Sequence, residues 1–319
     1  MFSYGFFLKK NYFIFMWKKR LELIFKIAGF LFLFLAVGLV FSEVRKIGLD
    51  KIGTLIRETP FYILSIAFFF TVLDYLMLAG YDFIALSYIK QKIPFLKVIT
   101  NAFLSFSVTN TTGHAYVAGG SLRYLLYKKI NEINIFKMIA FESITFLLGM
   151  ISVLNVALIL ASLTKTTFPY AHFFYIGCVI VDFILSLYII YIIVRKKSFR
   201  IKKIQIKAPT LKQTLLQIFI GTLDISSISL VFYTLLHYHI DCNIIYCFII
   251  FILCQLIGLS TQVPGGLGVF EGSFLYLYAH TPEQKGGIIA TLLTFRVLYY
   301  FIPFFISGLF FLIRTLLKK

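Results

Sequence analysis

Gly258-Leu-Ser-Thr-Gln-Val-Pro-Gly-Gly-Leu-Gly-Val-Phe-Glu-Gly272 is the stretch that decides how the chain is read. On both sides the sequence is apolar enough for lipid, yet Pro264, Gly265, Gly266 and Gly268 interrupt any helix here. Proline removes a backbone donor and clashes with the preceding turn, and glycine reaches backbone angles that other residues avoid. Non-helical backbone at membrane depth persists only where protein covers it or water fills a cavity beside it. Glu271 follows at once, and a carboxylate at that depth is a functional-site candidate. The competing reading is an ordinary turn between two helices outside the membrane.

Working outward, 60% of the 319 residues are hydrophobic and 14% are charged. Apolar runs long enough to span a bilayer recur at 24–41, 61–89, 138–163, 170–194, 215–236 and 287–313. These predict an all-α polytopic membrane protein with six full transmembrane helices and a single membrane domain over 24–319. Residues 1–23 set Lys9, Lys10, Lys18, Lys19 and Arg20 among aromatics, as a basic amphipathic lead-in on the cytoplasmic surface would. The net charge of +18 is spread in short blocks between apolar runs, which marks topology and not a nucleic-acid surface. Cys178, Cys242, Cys247 and Cys254 have neither metal nor disulfide spacing. The sequence has no GxSxG, HExxH or nucleotide-binding glycine loop. No catalytic group, metal or cofactor is expected.

A second break lies at 98–127, where Asn101, Ser105, Asn110, Gly113, His114, Gly119, Gly120 and Arg123 separate two short apolar pieces. Lys90, Lys92 and Lys97 precede it and Lys128, Lys129 and Lys137 follow, so the chain leaves and returns on one side. That describes a re-entrant hairpin. Treating 244–280 the same way leaves 23 of the 31 basic residues inside and 6 outside, with Arg123 and Arg296 at membrane depth. Both termini are then cytoplasmic. Residues 61–163 and 215–313 become two copies of one unit, span–hairpin–span, in opposite orientation. Such inverted repeats, with broken helices meeting near the midplane, build many transporters. Gly120 and Gly266 are expected to be backbone-critical, through positive φ or close approach.

Six acids fall within spans or hairpins: Asp74, Asp82, Glu142, Asp182, Asp224 and Glu271. Each isolated charge at a helix centre costs roughly 2.5–3.5 kcal/mol on insertion scales. The two arginines can absorb two of the acids. The rest are protonated, hydrated or matched to a cationic ligand, and for Asp74 and Asp182 a helix-gluing hydrogen bond competes with any functional role.

Ser107-Val-Thr-Asn-Thr-Thr-Gly-His114 and Ala118-Gly-Gly-Ser-Leu-Arg-Tyr-Leu-Leu-Tyr127 resemble the first signature of the transmembrane flippase region of multiple peptide resistance factor, the lysylphosphatidylglycerol flippase/synthase. Gln262-Val-Pro-Gly-Gly-Leu-Gly-Val-Phe-Glu271 resembles the second. Gly80-Tyr-Asp82, Thr145-Phe-Leu-Leu-Gly149, Leu223-Asp224 and Phe295-Arg-Val-Leu-Tyr-Tyr-Phe-Ile-Pro303 extend the likeness over about 20–315. Leu125 departs from it, standing where the family often has a second arginine. Full-length members add a soluble domain that carries an amino acid from tRNA to phosphatidylglycerol, and these 319 residues hold none. The resemblance therefore implies the lipid-translocating half in a bacterial inner membrane.

On that reading the substrate is an amphipathic phospholipid such as aminoacyl-phosphatidylglycerol, associated in the family with resistance to cationic antimicrobial peptides. Arg123 would hold the phosphate, because its planar fork suits phosphate oxygens. Glu271, Asp82 and Asp224 would balance a cationic head group, with Arg296, Asn110 and His114 completing the substrate-binding set. Gly113, Gly119, Gly120, Pro264, Gly265, Gly266 and Gly268 would form the hairpin backbone. Expected partners are the membrane and the lipid, with a separately encoded lipid synthase and a second copy of the chain as protein candidates. The alternatives are a membrane-embedded lipid or lipid-linked-sugar transferase and a scaffold for a synthase.

Overall fold

The computed structural model describes residues 54, 57–112, 119–165, 175–177, 179–180, 182–183, 187, 198–201, 204–261, 264–266, 268–278 and 282–316. The lead-in at 1–23, the expected span at 24–41, most of that at 170–194, and the hairpin residues Gly113 and His114 lie outside them. In chain order the helices are α1 (Phe61–Tyr88), α2 (Phe95–Thr112), α3 (Gly120–Leu126), α4 (Glu132–Leu163), α5 (Leu211–His239), α6 (Ile244–Thr261), α7 (Val269–Tyr278), α8 (Pro282–Phe295) and α9 (Ile302–Leu316). A 3₁₀ turn at Pro264–Gly266 joins α6 to α7, and a π-helical segment at Arg296–Phe301 joins α8 to α9. One short antiparallel ribbon, β1 (Ser198–Ile201) with β2 (Ile204–Lys207), departs from the all-helical expectation. It falls in the basic loop, where Phe199, Ile201, Ile204 and Ile206 alternate with polar residues at strand period.

Four of the expected spans are helices long and apolar enough to cross a membrane: Phe61–Tyr88, Glu132–Leu163, Leu211–His239 and Gly287–Ile313. At 28 residues, α1 measures roughly 42 Å, more than the hydrocarbon core requires. Phe68, Phe69, Leu147, Phe219 and Phe305 stay exposed along these helices, as residues facing lipid chains do. Local signals fix the helix starts. Thr210 and Gln213 make a reciprocal capping box on α5, and the Asn131 side chain accepts from the Asn134 N–H at the start of α4. Asn243 does the same for α6, accepting from the N–H groups of Ile245 and Tyr246. After α1, Lys90 takes a left-handed conformation (φ 58) and Pro94 blocks continuation.

Small residues let α4 and α5 touch backbone to backbone. A Cβ added at Gly149 would sit 2.2 Å from the Gly221 carbonyl oxygen, and one at Gly221 would sit 2.5 Å from that of Thr145. One turn away, the Gln217 side-chain amide donates to Thr145 Oγ1 (3.0 Å) and to the Phe141 carbonyl (3.2 Å). This is the small-residue and polar-bond packing that holds helices together in lipid, where no hydrophobic drive separates protein from solvent. Gly221→Ile is accordingly expected to lower the thermal midpoint of the purified protein, by an amount corresponding to at least about 1–3 kcal/mol. Gly177→Ala, at a glycine whose Cβ would meet nothing within 4 Å, should leave it unchanged.

The same order of elements occurs twice. Helix starts at Leu211, Ile244, Val269 and Pro282 follow those at Phe61, Phe95, Gly120 and Glu132 by 149 or 150 residues. The equivalent helices α1 and α5 are packed antiparallel: the Tyr238 hydroxyl donates to the Glu58 carbonyl at one end (3.0 Å), and Gly80 meets Ile220 further along. Each break closes a hairpin. In the second, the Tyr246 hydroxyl near the start of α6 donates to the Leu277 carbonyl at the end of α7 (3.1 Å). In the first, Gly119 lies against Thr109 and Arg123 stacks over Phe106, 4.6 Å from the ring centroid. Phe95 at the start of α2 stacks on Phe83 near the end of α1, whereas α6 begins just past the end of α5. Since α1 and α5 are antiparallel, α2 and α6 begin at opposite ends of that pair, and α2 packs against the Pro264–Gly266 turn and the π segment.

Candidate functional site

The first break carries Arg123 into the interior, where 1% of the residue is exposed. One terminal nitrogen meets two carboxylates: Asp82 Oδ1 at 2.9 Å and Glu142 Oε2 at 2.8 Å. The Tyr127 hydroxyl donates to the other oxygen of Asp82, and the Phe106 ring covers the guanidinium face. Residues from α1, α3 and α4 therefore converge on one charge, and the ring adds a cation–π contact. Glycines make room for this. A Cβ at Gly119 would lie 2.5 Å from Thr109 Oγ1 and 3.1 Å from Arg123 Nη1, and one at Gly120 would lie 3.1 Å from Ile139 Cδ1. Close approach, and not positive φ, is what constrains Gly119 and Gly120, since only Gly265, Gly266 and Gly268 have positive φ among the described glycines.

At the second break those three glycines, at φ 60, 62 and 78, make a turn that side chains with a Cβ rarely adopt. Arg296 fastens it. Its Nε donates to Glu271 Oε1 (2.7 Å), Nη2 donates to the same oxygen, and Nη1 donates to the Gly265 carbonyl (2.9 Å). The other Glu271 oxygen accepts from the Gly268 N–H (2.8 Å). Gly268 caps α7 and Glu271 is its third helical residue, so this is the carboxylate half of a capping box. Glu271 thus serves the backbone as well as the charge, a role legible in the Gly-x-x-Glu spacing that sequence reasoning passed over. The Arg296 guanidinium lies 4.6 Å from the Tyr300 ring centroid. Arg296 also opens the π segment, and π turns recur at functional sites. The segment ends near Pro303, which has no N–H for the Tyr299 carbonyl one turn back. The Tyr75 hydroxyl donates to that carbonyl instead (3.3 Å).

Between the two clusters lie Asp74 and Asp224, both buried. The Tyr299 hydroxyl donates to Asp74 and the Tyr81 hydroxyl donates to Asp224 (2.6 Å). Asn110, expected to bind substrate, stands with Ser107 within reach of the Tyr75 hydroxyl. Asp182 accepts from the Asn155 side chain, a helix-to-helix bond of the kind expected for it. His114 and Gly113 are outside the described residues, and the Pro264 backbone is part of the 3₁₀ turn. The sequence places Arg123 and Glu271 at the breaks and names Asp82 and Arg296 as substrate-binding residues within spans; the structure brings Asp82 to Arg123 and Arg296 to Glu271. Sequence reasoning did not foresee Glu142 as the second partner of Arg123, or the tyrosines Tyr81, Tyr127 and Tyr299. These pairings join residues 19 to 225 positions apart, across different helices, with no local signal. Among the described residues, no group of three or more histidine, cysteine, aspartate or glutamate side chains could hold a metal ion.

Residues 25–307 match the family described as the lysylphosphatidylglycerol synthase TM region. Two relatives align along nearly their whole length. The "Uncharacterized protein slr0712" of Synechocystis is 29% identical over 293 residues, 90% of each chain. The "Inner membrane protein YbhN" of Escherichia coli K12 is 25% identical over 296 residues, 90% of this chain and 91% of that one.

Proposed function

Since the chain belongs to the lysylphosphatidylglycerol synthase transmembrane-region family, we propose that it is a membrane translocase that moves an amphipathic phospholipid between leaflets. The observation that carries this reading is a pair of guanidinium–carboxylate clusters, one at the break of each of two hairpins whose first helices, α2 and α6, begin at opposite ends of the α1–α5 pair. A phospholipid with an amine in its head group presents one phosphate and one or more ammonium groups. Exchange of the Arg296–Glu271 pair for such a head group keeps each charge partnered: phosphate on Arg296, ammonium on Glu271. Burying a charge without a partner is the large cost in a low-dielectric interior, and exchange avoids it. The Glu271 side chain is 23% exposed, against 2% for Arg123 and 0% for Asp82, so the second cluster is the one a lipid meets first. Arg123, with Asp82 and Glu142, is the deeper phosphate site, reached after the hairpins move.

In this reading residues 61–163 and 215–313 are inverted repeats, both hairpins are re-entrant, and both termini are cytoplasmic in an inner membrane. A separately encoded synthase and a second copy of the chain are candidate partners. Single cysteines at Ser198 and Lys92 should resist an impermeant thiol reagent in intact cells, and one at Thr281 should react. Labelling at Lys92 and Asn131 from opposite sides would contradict the first re-entrant hairpin. For the activity itself, proteoliposomes of the purified chain are expected to move a fluorescent amine-bearing phospholipid between leaflets without added nucleotide. Movement no faster than in protein-free liposomes, for every head group tried, would refute it.

A further inference from the structure

Asp74 is the fourteenth residue of α1 and Asp224 the fourteenth of α5, 150 positions later, the same spacing that relates the helix starts. Because α1 and α5 run antiparallel, these two equivalent positions meet where the helices cross. The carboxyl groups lie within hydrogen-bond reach of each other. Asp74 is 0% exposed and Asp224 2% exposed. Each receives one tyrosine hydroxyl on one oxygen, from Tyr299 and Tyr81 respectively, yet the second Asp74 oxygen, Oδ1, is buried with no donor. Among the described residues neither aspartate has an ion-pair partner.

Two carboxylates at this separation in a dry interior repel strongly when both are ionised, and neither has a hydrogen to offer the other. One proton between them removes the repulsion and supplies the missing donor, as in other paired carboxyl sites. The titratable groups around the pair are Tyr75 and Tyr81 on α1, Tyr299 and Tyr300 on the π segment, and Glu142 on α4. From α2 the nearby polar groups, Ser107 and Asn110, do not titrate. None of these neighbours is a cation. The guanidinium of Arg123 is taken by Asp82 and Glu142, and that of Arg296 by Glu271.

We propose that Asp74 and Asp224 share one exchangeable proton at the crossing of α1 and α5, and that its release and uptake let the two helices part and close during transport. With the proton present, the O–H of one carboxyl donates to the carboxylate of the other and the helices are held together. On release the proton passes to water, leaving two carboxylates that repel. The site is symmetric with respect to the two halves of the chain, so opening can proceed toward either end. The proton site rests on the geometry alone, and its coupling to lipid movement rests on the translocase reading.

The test is infrared difference spectroscopy on the purified protein in nanodiscs, with no labelled lipid present. The parent is expected to show a protonated-carboxyl stretching band at neutral pH that fades on alkalinisation and is missing from both Asp74→Asn and Asp224→Asn. Asparagine supplies an N–H to the remaining carboxylate, so the helix contact survives in both variants. Asp224→Glu, which keeps an acid there, should shift the band without deleting it, and serves if an asparagine variant does not fold. A band that persists unchanged in all three variants would overturn the proposal. In proteoliposomes the parent's initial lipid rate should change with an imposed pH gradient and that of Asp74→Asn should not. Equal gradient dependence of the two would overturn the coupling. A titrating, dyad-dependent band in a protein that moves no lipid would uphold the proton site and refute the translocase reading instead.

Discussion

Arg123→Gln is expected to destabilise the protein by about 3–5 kcal/mol, the usual cost of leaving a buried carboxylate without its cation. Here two carboxylates lose the same partner, because Asp82 and Glu142 both contact one guanidinium nitrogen. The Phe106 ring also loses its cation, and the Gly119–Thr109 contact loses the side chain packed beside it. Thermal or denaturant unfolding in a fixed detergent measures the loss. A triple variant, Arg123→Gln with Asp82→Asn and Glu142→Gln, is expected to recover most of it, since neutral amides need no counter-charge and can hydrogen-bond one another. Lipid movement should not return with stability, because the proposed phosphate site is gone. A single variant as stable as the parent would mean that the three side chains are hydrated and not a closed cluster.

The four described spans were legible because length and hydropathy are local, additive signals, whereas the caps Thr210-x-x-Gln213 and Asn131, equally local, start α5 and α4 a few residues before the expected 215 and 138. The second break was legible for the same reason, since Pro264-Gly265-Gly266 in an apolar run conflicts with helix wherever it occurs. Charge assignments were partly legible. Sequence reasoning expected the two membrane-depth arginines to absorb two acids, and they engage three, with Glu142 joining Asp82 on Arg123. Which acid meets which arginine depends on how helices cross, and nothing within one helix encodes that. Gly120 shows a different limit. A glycine after a break suggests positive φ, yet this one is held by Ile139 on α4, a contact that exists only once α3 has packed. The Asp74–Asp224 pair was open to reading and was passed over. Its 150-residue spacing is that of the helix starts, but the two positions meet only because α1 and α5 run antiparallel.

The second large effect is at Glu271. Glu271→Gln keeps the side chain's shape and its capping acceptor for the Gly268 N–H, while removing the charge that faces Arg296. Transport of a cationic lipid is expected to fall at least about tenfold, equivalent to roughly 1.4 kcal/mol of lost interaction with the ammonium. Aminoacylated phosphatidylglycerol bearing lysine carries about +1 at neutral pH, given ordinary amine and phosphate ionisation, so it belongs to the affected class. A neutral lipid has less to lose. An anionic lipid with no ammonium makes no contact with Glu271 to lose, so it is spared.

The measurement that bears most directly on this account is the initial transbilayer rate of cationic, neutral and anionic phospholipids, read by leaflet-specific quenching in proteoliposomes of the parent and of Glu271→Gln at matched protein content. A selective loss for the cationic lipid, with the neutral lipid less affected and the anionic lipid spared, is the predicted result. Slowing of all three lipids by the same factor would contradict it, leaving Glu271 as a fastener of the second hairpin that does not read the head group.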